Sequence, residues 1–475
     1  MSIFIDRDQE LSALEARYKA KKAEFIVVYG RRRVGKTELL KHFFADKPHV
    51  YYLCVKERDS VQLQKLSKRI SEFLGETQPV IETWEDLFSY IAKKANGKRL
   101  VLVIDEFPYL VEKNKAIPSM FQLGWDEYLK DTDVFLMICG SSVSMMERLL
   151  GKKSPIYGRR TGQTEVLPMR VGDAFEFFPK YSLRQKIEAY AILGNIPQYL
   201  LEFNDKDDIL TNVGSRFLDP GESLFKEPLF LLREELRDSG TYLTLLTYCT
   251  RPVRLNVLSS KTGIAMTKLP KYLNTLIDLR ILSKHKRVTD KKPITKRSYY
   301  VLTDNMFKFW FEFVYPNVSE VEGGDKKKVL DKVKAGLDGY VGAAFEDICK
   351  QMLLLMKDIG AAPLEFSEVG RWWGHIREDG ERREVEFDIV TLGPSAKDLG
   401  VFECKWQDLS RSKALDILSS VKENAALIEW DDKSRKEHFG LFARKIDGKD
   451  QIRQMGYLAY DLKDFEVLLR SNKRA

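Results

Sequence analysis

The stretch Phe25-Ile-Val-Val-Tyr-Gly-Arg-Arg-Arg-Val-Gly-Lys-Thr-Glu-Leu-Leu40 decides the fold of the amino-terminal part of the chain. Its apolar run from Phe25 to Tyr29 predicts a buried strand, residues 30–35 predict a loop, and Lys36 predicts the start of a helix. The pattern G-x-x-x-x-G-K-[ST] thus has the strand-loop-helix setting that a phosphate-binding P-loop requires. A surface turn that merely contains glycines is the alternative.

Each residue type in this loop has a chemical reason. Gly30 and Gly35 let the backbone curl so that its N–H groups point at a β-phosphate, and the helix N-terminus adds its positive dipole end. Lys36 is predicted to reach the β- and γ-phosphates of ATP, and the Thr37 hydroxyl to hold Mg²⁺. The predicted nucleotide-binding segment is Gly30, Arg31, Arg32, Arg33, Val34, Gly35, Lys36, Thr37 and Glu38.

Two acids follow the most apolar strand of this region. The run Leu100-Val-Leu-Val-Ile104 ends in Asp105-Glu106, and acids at the carboxyl end of a buried parallel strand are costly unless they meet a cation. We expect Asp105 to hold Mg²⁺ through water and Glu106 to polarise the attacking water. The alternative is a strand that simply ends in solvated acids.

A further strand and a turn supply candidates for sensing the γ-phosphate. The strand Val134–Cys139 runs into Gly140-Ser141-Ser142, which predicts a γ-phosphate contact for Ser141, with a helix N-cap as its alternative role. The turn Ser154-Pro-Ile-Tyr-Gly-Arg-Arg160 offers Arg159 or Arg160 as an arginine finger that completes a neighbouring subunit's site. Ordinary exposed arginines are the alternative there.

Together these motifs resemble the archaeal ATPase family, a branch of the signal-transduction ATPases with numerous domains that is related to AAA-type machines. The resemblance implies a sheet ordered 5-1-4-3-2. It also implies that Gly194-Asn-Ile-Pro-Gln-Tyr-Leu200 places Pro197 over the nucleotide from a helical lid, although Asn195 stands where a second glycine is usual. A plain helix-breaking proline is the alternative. The matching features are Arg7, a weak base-side candidate, then Gly-Arg-Arg-Arg-Val-Gly-Lys-Thr, Ile-Asp-Glu-Phe, Cys-Gly-Ser-Ser and Tyr-Gly-Arg-Arg.

Length and composition limit the remaining classes. A chain of 475 residues is too long for one core and predicts about three domains. The net charge of +8 permits a nucleic-acid partner without requiring one. Five scattered cysteines and five histidines argue against zinc sites and disulfides and predict a reducing compartment. Without a signal-peptide pattern or an apolar run of membrane-spanning length, we expect a cytoplasmic protein with no membrane partner.

The middle of the chain predicts a winged-helix domain. Helical patterns at 241–250, 256–262 and 268–280 precede a two-stranded ribbon at 281–288 and 298–302. Its clustered cations could neutralise DNA phosphates. A hinge that passes nucleotide state to the next domain is the alternative. The cations are Lys268, Lys271, Lys284, Lys286, Arg287, Lys291, Lys292, Lys296 and Arg297.

Carboxylates mark the carboxyl-terminal region. Alternation places Glu386 and Asp388 on one face of a strand, and Glu403 and Lys405 share a face of the next strand, so two acids and an amine would meet. Such hard oxygen ligands suit Mg²⁺ or Mn²⁺, with Lys405 orienting a nucleophile. With Glu346 on the preceding helix, the set resembles the PD-(D/E)xK nuclease fold, although no proline precedes Asp388. The alternative is a degraded or structural acid-lysine network.

The predicted fold class is α/β: a P-loop NTPase parallel sheet with a helical lid, a winged-helix domain and a restriction-endonuclease-like α/β domain. The predicted boundaries are 1–180 for the ATPase, 181–237 for the lid, 238–316 for the winged helix, 317–335 for a linker and 336–475 for the nuclease-like domain. The leading hypothesis is ATP binding and hydrolysis coupled to DNA binding and Mg²⁺-dependent DNA cleavage, with a possible nucleotide-dependent homo-oligomer. The alternatives are an ATPase switch whose last domain binds DNA without cutting it, and a winged-helix DNA-binding regulator.

Overall fold

The computed structural model describes residues 4–95, 97, 99–291, 298–378, 381–394, 398–430 and 435–472. The chain divides into two compact units, one formed by residues 1–169 and 196–198 and the other by residues 170–195 and 199–475. Of the predicted wing cations, Lys292, Lys296 and Arg297 lie outside the described residues.

The first unit is built on a five-stranded parallel sheet. Three of its strands are buried along their whole length because helices cover both faces, and this explains their nearly continuous apolar sequences. Its elements are α1 (Asp8–Lys19), β1 (Glu24–Tyr29), α2 (Lys36–Phe44), β2 (His49–Leu53), α3 (Asp59–Leu74), α4 (Trp84–Lys94), β3 (Val101–Asp105), α5 (Pro108–Lys113), α6 (Ile117–Gly124), a π-helix (Trp125–Leu129), β4 (Phe135–Gly140), α7 (Val143–Leu150) and β5 (Gly162–Glu165).

The strand order β2-β3-β4-β1-β5 confirms the order 5-1-4-3-2 that the family resemblance implies. Every pairing in this sheet is parallel, so the carboxyl ends of β1, β3 and β4 meet at one edge. The P-loop, the two acids after β3 and the serine after β4 all leave the sheet at that edge. The topology therefore brings the predicted phosphate chemistry together.

The first half of the second unit is helical. The predicted three helices and antiparallel ribbon are present in the predicted order, and Val253 adds an isolated bridge to Tyr300, but the winged-helix assignment itself stays a prediction. The elements are α8 (Val171–Phe175), α9 (Leu183–Leu193), α10 (Pro197–Leu200), α11 (Ile209–Arg216), α12 (Ser223–Glu235), α13 (Ser239–Thr247), α14 (Leu255–Thr262), α15 (Leu269–Asp278), β6 (Leu282–His285), β7 (Tyr299–Leu302), α16 (Asn305–Phe309), a π-helix (Trp310–Val314), a 3-10 turn (Tyr315–Asn317), α17 (Val318–Glu322) and α18 (Lys326–Asp358).

The segment predicted as a linker, residues 317–335, is mostly helical, and the domain boundaries stay a prediction. Helix α17 occupies its first part, and the 33-residue helix α18 runs through the predicted domain start at residue 336. Val329 and Val333, one helical turn apart, are fully buried, and this buried stripe holds the otherwise charged segment in a helix. Gly324, which has a left-handed φ of 93°, lies in the turn that separates the two helices.

The last part of the second unit is a mixed five-stranded sheet in the order β12-β11-β10-β9-β8. The pairings of β8 with β9 and of β9 with β10 are antiparallel, whereas β10, β11 and β12 are parallel. Its elements are β8 (Glu368–Glu378), β9 (Glu381–Leu392), β10 (Asp398–Leu409), α19 (Arg411–Asn424), a 3-10 turn (Ala425–Leu427), β11 (Lys436–Ile446), α20 (Lys449–Gln454), β12 (Leu458–Tyr460) and α21 (Leu462–Asn472).

A fork in this sheet positions the carboxylates. The register of β9 with β10 ends at Phe402↔Ile389, so the next residues along the two strands are Glu403 and Asp388. The pairing of β10 with β11 becomes irregular shortly afterwards, after Lys405. The separation of two paired strands therefore leaves room for polar side chains inside an otherwise apolar sheet.

We predict that Gly440→Ala destabilises this sheet. A Cβ at Gly440 would lie 2.2 Å from Cδ1 of Phe402. The Phe402 ring is fully buried, and Phe402 is the residue directly before Glu403 in the sequence. The overpacking should lower the free energy of unfolding by about 1–3 kcal/mol, measured by urea denaturation. The control is Gly339→Ala in α18, where an added Cβ meets no heavy atom within 4 Å and should be neutral or stabilising. Equal midpoints for the two variants would contradict the prediction.

Candidate functional site

The P-loop backbone has the unusual geometry that its glycines allow. Gly35, the residue before α2, has a φ of 91°, and Arg33 also lies in the left-handed region with a φ of 71°. A Cβ on Gly30 would lie 2.3 Å from the carbonyl oxygen of Val166, so no larger residue fits there. The loop therefore turns tightly between β1 and α2, as the motif predicts.

The Lys36 side chain lies within this loop. Its ammonium donates hydrogen bonds to the carbonyl oxygens of Gly30 and Arg31, each at 2.9 Å, and the side chain is buried. Burial lowers the pKa of Lys36, against the opposing influence of Cys139, Glu106 and Asp105. A buried, poorly hydrated cation is well suited to a polyanionic ligand such as a triphosphate.

Asp105 joins three elements at the edge of the sheet. Its Oδ2 accepts hydrogen bonds from the Thr37 hydroxyl and the Tyr51 hydroxyl, both at 2.9 Å, and its Oδ1 accepts one from the Glu106 amide. The two predicted Mg²⁺ ligands of the ATPase, Thr37 and Asp105, are therefore in direct contact. Burial raises the pKa of Tyr51, and the Asp105 carboxylate raises it further. The Tyr51 hydroxyl therefore keeps its proton and donates a hydrogen bond.

Glu106 and Ser141 also form a pair. The Ser141 hydroxyl donates a hydrogen bond to Glu106 Oε2 at 2.9 Å, and Glu106 has a left-handed φ of 51°. The residue at the N-cap of α7 is Ser142, which makes no side-chain capping bond, so Ser141 does not have the N-cap role. The residues predicted to polarise water and to sense the γ-phosphate thus touch each other.

The candidate arginines have partners within the first unit. Arg159 forms an ion pair with Asp126 on the π-helix, with Nε and Nη2 each 3.1 Å from Oδ2. Arg160 donates to the Leu150 carbonyl oxygen at 3.1 Å. The arginine-finger role of either residue stays a prediction.

Other predicted residues are placed around the loop. Arg7 is buried and donates to the carbonyl oxygens of Val34 and Leu167, which ties the P-loop to the segment after β5. Pro197 lies beside Gly35, with its Cγ 4.0 Å from where a Cβ on that glycine would be. Glu38 instead forms an exposed ion pair with Lys41 at 2.9 Å.

At the fork of the second sheet the structure brings together Asp388, Glu403 and Lys405. Lys405 Nζ lies 2.5 Å from Glu403 Oε2, and the Cys404 amide donates to Asp388 Oδ2 at 2.8 Å. Burial and the neighbouring Asp388 carboxylate raise the pKa of Glu403 to about 7, although Lys405 opposes the shift. Burial lowers the pKa of Lys405, but Glu403 and Asp388 outweigh it and raise that pKa overall.

Glu346, predicted as part of the same set, is paired with an arginine. Its carboxylate forms an ion pair with Arg371 of β8. Arg371 also lowers the pKa of Glu386, which burial and Glu384 raise. Arg371 and Tyr51 are therefore the residues that sequence reasoning missed, because each contacts a carboxylate on another element, Glu346 of α18 and Asp105 of β3, and no sequence motif identifies those contacts.

The fork offers the carboxylates of Asp388 and Glu403 as ligands for a divalent cation. No group of three or more His, Cys, Asp or Glu side chains that could hold a metal ion occurs within the described ranges. Mg²⁺, however, is commonly held by one or two carboxylates together with water and substrate phosphates. Asp388 and Glu403 fit that requirement, because their mutual repulsion, expressed in the raised pKa of Glu403, is what a cation would relieve.

Comparisons with known proteins agree with the first unit's geometry. Residues 4–203 match a family described as an ATPase domain predominantly from Archaea, and residues 310–417 match archaeal and bacterial proteins of unknown function. An uncharacterised protein of Methanocaldococcus jannaschii, MJECL04, is 31% identical over 473 residues, which is 98% of this chain and 100% of that protein.

Two solved structures are similar to about two thirds of this chain. The Walker-type ATPase PABY2304 of Pyrococcus abyssi is 18% identical, covers 65% of this chain and 96% of its own, and has a TM-score of 0.48. The Aeropyrum pernix ORC2 protein, solved in ADPNP-ADP complexes, is 11% identical, covers 68% of this chain and 98% of its own, and has a TM-score of 0.42.

None of the helices in the described ranges is both long enough and apolar enough to cross a membrane.

The P-loop, the acids after β3 and the serine after β4 meet at one sheet edge, in the region that matches the ATPase domain. With a relative of equal extent at 31% identity, the chain belongs to an archaeal family of P-loop ATPases whose carboxyl-terminal region has no assigned function.

Proposed function

We propose that this protein binds and hydrolyses ATP and couples its nucleotide state to the binding and Mg²⁺-dependent cleavage of DNA by its carboxyl-terminal sheet. The observation that carries the proposal is the cluster of Asp388, Glu403 and Lys405 at the strand fork. Two acids and an amine at a sheet fork are suited to phosphodiester chemistry, and the cluster belongs to the same chain as a P-loop.

In the ATPase, each residue has a role that its contacts support. Lys36 neutralises the β- and γ-phosphates, and Thr37 with Asp105 holds the Mg²⁺ of the nucleotide. Glu106 polarises the attacking water. Ser141, hydrogen-bonded to Glu106, holds this carboxylate and would exchange that bond for one to the γ-phosphate.

In the nuclease, the chain's residues prepare a nucleophile and bind charge. Asp388 and Glu403 would hold a Mg²⁺ ion, whose chemistry would be to lower the pKa of a bound water and to stabilise negative charge on the scissile phosphate. The Cys404 amide fixes the Asp388 carboxylate in position. Lys405 donates a hydrogen bond to Glu403, which favours the ionised form of that carboxylate, and its remaining N–H groups would donate toward the nucleophile or the phosphate.

The path of the chain supports coupling between nucleotide state and the second unit. Residues 196–198 group with the first unit, whereas the residues on both sides of them group with the second. Pro197 lies beside Gly35 of the P-loop, and Tyr199, two residues later, donates a buried hydrogen bond to Glu227. A displacement of Pro197 by nucleotide would therefore pull directly on residues of the second unit.

DNA binding is proposed for the α13–α15 and β6–β7 segment. Lys268 and Lys271, at the start of α15, are exposed, as is Lys286 after β6. Cations on one helix and an adjoining ribbon would contact backbone phosphates with little sequence preference.

A second candidate function is a nucleotide-controlled switch whose last domain binds DNA without cutting it. The ion pair of Glu346 with Arg371 favours this candidate, because it leaves two rather than three carboxylates at the fork. Arg159 would then complete a neighbouring subunit's site in a homo-oligomer.

We expect Glu106→Gln to separate ATP binding from hydrolysis. The amide keeps the size of the side chain but cannot polarise water as a carboxylate does, so turnover should fall roughly 100-fold or more while the affinity for a fluorescent ATP analogue stays unchanged. Steady-state phosphate release gives the rate. The control is Glu112→Gln, an exposed glutamate of α5. Hydrolysis by Glu106→Gln at the control's rate would remove Glu106 from the mechanism.

Asp388→Asn and Lys405→Met should each reduce Mg²⁺-dependent cleavage of DNA by roughly 100-fold, because the first removes a negative charge that would hold Mg²⁺ and the second removes a positive charge that would stabilise the transition state. Cleavage is measured on single-stranded, duplex and branched labelled DNA with and without ATP. Glu368→Gln, an exposed position on β8, is the control. Activity that survives both changes excludes the nuclease. No cleavage by the wild type, combined with nucleotide-dependent assembly, would favour the switch.

The raised pKa of Glu403 gives a stability prediction that needs no metal. Because the folded protein binds this proton more tightly than the unfolded chain, the contribution is favourable at low pH and is lost as the pH rises from 4.5 to about 7. Glu403→Gln has no titrating group at this position. In EDTA, the free energy of unfolding of Glu403→Gln minus that of the wild type should therefore be about 2 kcal/mol larger at about pH 8 than at about pH 5. Glu368→Gln should show no such difference. Parallel curves for wild type and Glu403→Gln would contradict the assignment.

A further inference from the structure

A polar cavity of about 600 Å³ lies at the edge of the carboxyl-terminal sheet, within the second unit. Its walls come from the end of the ribbon, from strand β8, from the start of α14 and from the turn after α19. A volume of this size is typical of small-molecule sites, which span roughly 300–1,000 Å³. The lining residues that matter here are Arg254, Arg287, Asp290, Trp372, Trp373 and His375.

Three buried polar atoms of this cavity have no hydrogen-bond partner in the described part of the chain. They are Arg287 Nε, Asp290 Oδ2 and Trp373 Nε1, and the Trp373 side chain is only 6% exposed. Buried polar groups in native proteins are nearly always satisfied, so each unpaired atom calls for a partner. Three of them belong to residues that line one cavity, and together they offer two N–H donors and one carboxylate acceptor.

The rest of the cavity holds these atoms in place. Arg287 lies over the Trp372 ring at 5.7 Å and donates hydrogen bonds to the Trp373 carbonyl oxygen and to Asp290 Oδ1, each at 3.3 Å. The Trp373 ring packs edge-to-face with Tyr299 at 5.0 Å. The donors and the acceptor are therefore fixed by contacts of their own residues before any ligand arrives.

We propose that this cavity binds a nucleobase. A nucleobase is a flat ring whose edge presents acceptors and N–H donors side by side, which complements two N–H groups and a carboxylate oxygen. The aromatic walls and the guanidinium plane suit the faces of such a ring. The site lies outside the Asp388 cluster and goes beyond the proposed cleavage activity.

A neighbouring cavity indicates that the base belongs to a nucleic-acid strand. This second cavity, also about 600 Å³, shares Arg254 and His375 with the first. Arg254 lies over the Tyr299 ring at 5.0 Å and Lys261 over the Tyr248 ring at 5.3 Å. Alternating cations and aromatic rings along adjoining cavities are typical of single-strand binding surfaces. A free nucleotide is the other source of the same chemistry.

The test uses the full-length protein in EDTA, which prevents metal-dependent cleavage. The probes are a fluorescently labelled single-stranded oligonucleotide, followed by anisotropy, and the four nucleoside 5′-monophosphates, followed by calorimetry. Monophosphates lack the β-phosphate that the P-loop is built to hold. Trp373→Phe removes the unpaired N–H and keeps an aromatic ring, and Asp290→Asn replaces the acceptor carboxylate. Trp84→Phe is the matched control, because Trp84 of the first unit also has a buried indole N–H without a partner in the described residues.

We expect one or both cavity variants to weaken binding about tenfold, while Trp84→Phe binds as the wild type does. The Tm of Trp373→Phe should not be lower than that of the wild type, because the substitution removes an unsatisfied buried donor. Tight binding of the oligonucleotide with weak binding of monophosphates assigns the base to a strand, and the reverse assigns it to a free nucleotide. The proposal fails if the wild type binds none of the probes, if both cavity variants bind like the wild type, or if Trp84→Phe weakens binding equally.

Discussion

The buried carboxylate of Asp105 is the constraint on which the amino-terminal unit depends. A charge at 1% exposure between parallel strands is expensive unless donors surround it. Thr37 from α2, Tyr51 from β2 and the Glu106 amide provide those donors, so satisfying one charge fixes the P-loop helix against two neighbouring strands. The same bonds hold the Thr37 hydroxyl and the carboxylate side by side next to the P-loop. Structural stability and nucleotide chemistry therefore rest on one group.

The carboxylates of the second unit are held differently. Asp388 receives one backbone N–H, and Glu403 has Lys405 beside it, but burial and the repulsion of Asp388 still raise the pKa of Glu403 to about 7. The surrounding protein thus leaves part of the negative charge uncompensated, whereas the donors around Asp105 are complete. A site that retains such a deficit favours a cation or a phosphate-bound metal more than a site whose donors already balance its charge.

Sequence reasoning succeeded where a local pattern fixes the geometry and failed where distant residues do. The P-loop, the acids after β3 and the meeting of Asp388 with Glu403 follow from periodicity and strand direction, and the sheet order follows from the family resemblance. The helix through the predicted linker at 317–335 was not foreseen, because two buried valines stabilise it in a charged segment and composition does not reveal their burial. Tyr51 and Arg371 escaped notice because their partners lie on other elements, 54 and 25 residues away in the sequence.

The cavity at the edge of the second sheet bears on how two phosphate sites can serve one process. Trp373 pairs in register with Glu386 of β9, and Asp388 lies two residues farther along that strand. At about 3.3 Å per residue, this offset along the strand is about 7 Å. A base held against Trp373 would therefore set a neighbouring phosphodiester near the fork without any contact that reads sequence there. In such an arrangement the base pocket determines position, the fork supplies the chemistry, and the Pro197 segment is the point at which nucleotide state can reach both.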